Sequence, residues 1–153
     1  MLPSHAIKVL PEWIDHNGHL NVAYYVLAFD QVTDRVYEDW SIGLDYADGG
    51  MSMFTLGMNV DYMAELMVDE SVHVTTRLLD VDHKRIHYFH QMFRDTDQAL
   101  VSTNECLAIN VDLASRRSAE FPPAVQQQLA GIQREHATLP VLKGVARKLG
   151  IRR

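Results

Sequence analysis

Residues 15 to 25 read Asp-His-Asn-Gly-His-Leu-Asn-Val-Ala-Tyr-Tyr, and they are the part of the chain best suited to chemistry. A carboxylate, Asp15, stands three residues before Gly18. Directly after Asn21 the apolar residues begin to recur at helical spacing. That order can set an acid beside the positive end of a helix, where unbonded backbone N–H groups polarise a carbonyl. An acid beside amide donors is what acyl transfer needs. The carboxylate serves as general base or as nucleophile, and the donors hold the oxyanion. Asp15 and the backbone N–H of Val22 are therefore the expected catalytic pair. Losing one such donor typically costs about 3 kcal/mol of transition-state stabilisation. Asp15 is also the residue type that stabilises a turn or a helix start. Asn17 can hold a water or a carbonyl through its amide, and Asn-Gly is equally a turn signal. Asn21 reads as an N-cap. His19 either orients the loop or takes part in the site, and Tyr25 falls on the helix's apolar stripe.

The elements that must position these groups follow from periodicity. Val22, Tyr25, Val26, Phe29, Val32, Val36 and Trp40 recur at steps of three and four, which predicts a helix of about five turns ending before Gly43. Residues 44–50, with Asp45, Asp48, Gly49 and Gly50, read as a loop. The period then becomes two. Phe54, Leu56, Met58, Val60 and Tyr62 predict one face of a strand, and further strands are expected near 5–10, 72–77, 84–94 and 99–111. Short polar turns between long strands indicate an antiparallel meander. Residues 122–136 predict a C-terminal helix with proline in its first turn. One apolar-faced helix and one antiparallel sheet must bury their faces against each other, an α+β arrangement.

Composition narrows the function classes. The chain has 153 residues, 47% apolar and 22% charged, which suits one globular domain. A net charge of −6 disfavours nucleic acid as a partner. No apolar run approaches the roughly 18 residues of a membrane span, and no secretory signal is visible. Cys106 is the single cysteine, so no internal disulfide can form. A cytoplasmic location is expected. His83, His87 and His90 do not make a metal site. His87 and His90 alternate faces on a strand, and His83 lies about 13 Å from His87. Lys143, Arg147, Lys148, Arg152 and Arg153 form a basic tail, read as solvated, as a phosphate-attracting arm or as an oligomer contact.

The spacing D-x-x-G-H-x-N-x-x-x-Y, carried here by Asp15, Gly18, His19, Asn21 and Tyr25 and continued by Phe29-Asp30, resembles the signature of hotdog-fold acyl-CoA thioesterases of the 4-hydroxybenzoyl-CoA thioesterase type. Asn59-Val60-Asp61-Tyr62 is similar to the family's strand ending in an aromatic residue. Val111-Asp112 with Arg116-Arg117 and Pro122 resembles its last strand and following turn. Val22 departs from the second asparagine common in the family, and Val68-Asp69 departs from Gly-Asp. The resemblance implies a hotdog fold, with the long helix wrapped by a curved antiparallel sheet. It implies a thioesterase domain over 1–123, with 124–153 as C-terminal helix and tail. It implies acyl-CoA hydrolysis without a cofactor, in a homodimer or homotetramer with pockets between subunits. Asn59, Asp61 and Glu65 are then candidates to reach a neighbouring copy's site. Residues 11–30 resemble more closely the thioesterases of carnitine breakdown, which act on betainyl-CoA. Trp13 and Trp40 with Tyr24 would then supply an aromatic cage for the quaternary ammonium. The other reading is a hotdog module that binds acyl-CoA without turning it over.

Overall fold

The computed structural model describes residues 1–140 and 149–153. The strand β1, Ser4–Lys8, leads into a 3-10 turn at Pro11–Trp13, and the helix α1 runs Val22–Asp39. A short helix α2, Leu44–Asp48, precedes the long strands β2 Met51–Tyr62, β3 Ser71–Val81, β4 Arg85–Arg94 and β5 Leu100–Asp112. A two-residue strand β6, Arg117–Ser118, and the helix α3, Pro123–Ala137, follow. The sheet is antiparallel in the order β1-β3-β4-β5-β2, with β6 paired to β5. Tyr25, Ala28, Phe29, Val32 and Val36 of α1 are buried in one core with Val74 and Leu78 of β3, Ile86, Tyr88 and Met92 of β4, and Cys106 and Ala108 of β5. This is the α+β helix-on-sheet arrangement expected from the pattern. α3 joins the same core through Leu129, and the imidazole of His136 accepts a hydrogen bond from the Leu78 N–H.

Three details differ from the sequence reading. Residues 44–48 are helical rather than loop. Glu38 accepts the Leu44 N–H at 2.7 Å, so a side chain from the preceding helix secures the first turn. Val22 leaves the buried stripe and is 57% exposed, because it is the first residue of α1 and opens into a cleft. The strict alternation expected over 54–62 is broken by a bulge between Thr55 and Gly57. Met53 and Val60 therefore both pack on the core, although they lie an odd number of residues apart. Phe54 turns outward, where the Arg116 guanidinium sits 5.3 Å above its ring. Of the basic tail, Lys143, Arg147 and Lys148 lie outside the described residues. Arg153 pairs with Asp80 at 2.9 Å, and Arg85 donates to the Arg152 carbonyl.

Candidate active site

The loop before α1 is closed by its own acid. Asp15 donates its backbone N–H to His19 O, and the Gly18 N–H donates to Asp15 O. The Asp15 carboxylate accepts the Asn17 N–H at 2.8 Å. Gly18 sits at φ +83°, a left-handed conformation that costs an L-residue about 1–2 kcal/mol. A single bridge between Ile14 and Leu20 zips the base of the loop.

Asn21 then joins the acid to the helix. Its Oδ1 accepts the Ala23 N–H at 3.0 Å, the expected N-cap, and its Nδ2 donates to Asp15 Oδ2 at 3.4 Å. The Tyr24 N–H is taken by Asn21 O. The Val22 amide, at the first helical position, makes no hydrogen bond among the described residues, so it is a donor open to a ligand. Asp15 itself is half-exposed.

Beside this junction lies a cleft of about 270 Å³, lined by His19, Leu20, Val22, Tyr25, Tyr62, Met63, Ala64 and Glu65. Tyr25 OH donates to Ala64 O at 3.0 Å, and burial pushes its phenol up to about 12, so it stays neutral. Tyr62 meets Tyr25 edge-on at 5.2 Å and donates its hydroxyl to Val22 O at 3.3 Å. His19 Nδ1 lies 3.1 Å from Leu20 O, a contact that places a proton on Nδ1, so that in the neutral tautomer Nε2 is the acceptor.

The structure thus brings His19, Val22 and Tyr25 into one cleft and ties Asp15 to its edge through Asn21. Asn17 stands on the exposed turn next to Asp15. Asn59 and Asp61 are joined to each other by a 3.3 Å hydrogen bond on the face of β2 opposite Tyr62, away from this chain's own cleft. Trp13 is only 6% exposed and stacks on Tyr24 at 5.7 Å, so its ring is engaged within the chain. Trp40 packs on Tyr88 and His136 at the other end of α1, about 27 Å from Val22 by helix rise, so the three-ring cage does not form within one chain. His90 reaches α1 while His87 bonds Glu105 on the opposite face, and no metal-ligand cluster occurs among the described residues. Sequence reasoning misses Ala64 as a cleft wall; it offers Met63 among the methionines that could line an acyl pocket, and Glu65 for a neighbouring copy's site rather than for this chain's own cleft. Their approach to Tyr25 is set by the return of β2 alongside the helix.

The chain matches the model of the thioesterase-like superfamily over residues 9–129. It is 34% identical to the betainyl-CoA thioesterase of Pseudomonas aeruginosa, across 99% of this chain and 96% of that protein. It is 27% identical to the L-carnitine dehydrogenase/betainyl-CoA thioesterase of Rhizobium meliloti, aligning with 95% of this chain but 29% of that longer protein. A Staphylococcus aureus protein solved in complex with CoA superposes with a TM-score of 0.88 at 29% identity, covering 99% of this chain and 96% of that one. A 1,4-dihydroxy-2-naphthoyl-CoA thioesterase from Synechocystis superposes at 0.74 with 11% identity, over 85% of this chain and 96% of that one, a likeness of hotdog fold alone.

Proposed function

This chain belongs to the thioesterase-like superfamily, and on that premise we propose that it hydrolyses betainyl-CoA to betaine and CoA. The thioester carbonyl is set against the Val22 amide, with the acyl group in the cleft. Asp15 either takes a proton from the attacking water or attacks the acyl carbon itself. The oxyanion forms against the Val22 N–H, the C–S bond breaks, and the CoA sulfur leaves as thiolate and takes up a proton. If Asp15 attacks, water then cleaves the resulting anhydride. Asn17 steadies the water. His19 offers Nε2 to the substrate or to that water.

The observation that carries this reading is the Asn21 junction, which holds a carboxylate at the head of a helix whose first amide is open. For the acyl cation, the cleft offers the half-exposed Tyr62 ring and the Glu65 carboxylate, in place of the Trp13–Trp40 cage. Asn59 and Asp61 act, in this reading, on the site of a second copy. The chain works in the cytoplasm as a homodimer. β2 is the sheet's outer strand and carries exposed Phe54, Leu56 and Met58, the kind of edge that a second copy covers.

A thiol-release assay tests the substrate directly. Betainyl-CoA is compared with 3,3-dimethylbutanoyl-CoA, its neutral isostere, and with acetyl-CoA. The expected result is a kcat/KM for the cationic substrate at least about tenfold above the isostere, the worth of one good cation–π contact. Equal values would contradict the substrate assignment. CoA-ester binding with no thiol release from any of the three would contradict hydrolysis itself.

A further inference from the structure

Four residues one turn apart, Tyr25, Phe29, Thr33 and Tyr37, run down the sheet-facing side of α1. Their neighbours Ala28, Val32 and Val36 are small or aliphatic. Aliphatic contact has no direction, so a helix in such a trough keeps most of its burial when it slides slightly along its axis. Hydrogen bonds do have direction. They hold α1 at Tyr25, whose hydroxyl donates to Ala64 O, at Arg35, which donates to Ala6 O, at Tyr37, whose hydroxyl meets that of Tyr88 at 3.1 Å, and, in the core between Tyr25 and Tyr37, at one fully buried group. Thr33 Oγ1 lies 3.0 Å from His90 Nε2, and Thr76 Oγ1 lies 2.7 Å from His90 Nδ1. Phe29 stacks on the same imidazole at 5.6 Å. Thr33, His90 and Thr76 are all buried.

One proton arrangement satisfies these contacts together. Thr33 Oγ1 lies 2.9 Å from Phe29 O, so its single proton goes to that carbonyl. It must therefore accept from His90, which puts the imidazole proton on Nε2. In the neutral ring Nδ1 is then an acceptor, and Thr76, opposite His90 in the β3–β4 register, donates to it. Both ring nitrogens are satisfied: one bond joins β4 to the helix, and the other joins β4 to β3. Burial keeps the ring neutral, its pKa brought down to about 3.

We propose that His90 is a positioning residue for the hydrolysis: held by Thr76 from the sheet, it grips Thr33 and fixes the axial setting of α1, and with it the Val22 amide relative to Asp15. The proposal rests on the reading that this amide receives the oxyanion. Thr33 is about 16 Å from Val22 along the helix. A hydrogen-bonded helix transmits an axial slip over that length almost undiminished. A misplacement of about 1 Å at reacting atoms can cost on the order of a hundredfold in rate.

The test removes the pin without leaving an unpaired buried group. The triple variant Thr33→Val, His90→Phe, Thr76→Val replaces the whole network with apolar side chains, an exchange that can be nearly neutral for stability. Tm, kcat and KM are measured on betainyl-CoA. The expected result is a Tm within a few degrees of the native chain, kcat down at least about tenfold and KM changed less than about threefold. His90→Gln, whose amide can give and accept in the same directions, should recover most of kcat. A folded triple variant with native kcat would overturn the proposal, as would 15N imidazole spectra placing the His90 proton on Nδ1. Should the triple variant not fold, Thr76→Val decides: a tenfold lower kcat supports the pin, and a native kcat overturns it. Asp15→Asn, assayed alongside, separates the two readings. A fast Asp15 variant indicts the site assignment, whereas a slow Asp15 variant beside a fast triple variant indicts the pin.

Discussion

In the proposed mechanism Asp15 and Asn21 do double duty at the residue scale. The carboxylate accepts the Asn17 amide and so stabilises its own turn, while Asn21 caps α1 and donates to the same carboxylate. The structural role and the chemical role of such an acid are therefore not rivals, since the bonds that make the turn also aim the carboxylate. Asn21→Ala should cost about 1 kcal/mol of stability from the lost cap, read by urea unfolding. It should also lower kcat by at least about tenfold, because Asp15 loses its tie to the helix. Asn21→Asp should keep the cap but not the rate, since it sets a second carboxylate against Asp15. Gly18→Ala meets no atom within 4 Å, so its expected cost of about 1 kcal/mol comes from backbone strain alone.

The long elements were legible in the sequence, and the devices that join them were not. The three-and-four spacing from Tyr25 to Trp40 and the alternations within β3, β4 and β5 located α1 and the sheet, because burial on one face leaves that imprint. The Leu56 bulge left only Gly57, a glycine inside the strand, since it inserts one residue into an otherwise regular alternation. The partner of His90 was equally hidden. A histidine within an apolar strand looks the same whether or not a threonine from another element meets it. That burial has a measurable consequence. The unfolded chain protonates His90 near its ordinary value of 6.5, whereas the native chain resists to about 3. Between those values the unfolded state binds the extra proton, so the contribution is complete above 6.5 and is lost as pH falls towards 3. Unfolding free energy should drop by on the order of 1.4 kcal/mol per pH unit below 6.5 from this group. Burial also lowers the His136 pKa, which acts in the same direction. Urea titrations at pH 7 and pH 5 check the slope, and His90→Phe should flatten it.

For the whole molecule, we propose that the exposed edge decides assembly and the acid decides activity. β2 leaves Leu56 54% exposed on an outer strand whose only neighbour in the sheet, among the described residues, is β5. Lysine on such an edge opposes strand pairing. Leu56→Lys with Met58→Lys should shift the mass seen by light scattering from dimer to monomer and lower activity with it, while circular dichroism stays native. A native dimer mass in that variant would contradict pairing through β2. The central claim, that the carboxylate held at the head of α1 drives thioester cleavage, is tested most directly by the single-turnover rate of Asp15→Asn on betainyl-CoA. The account predicts a folded protein whose rate falls by at least about a hundredfold. A folded Asp15→Asn chain that still cleaves betainyl-CoA at the native rate would contradict it.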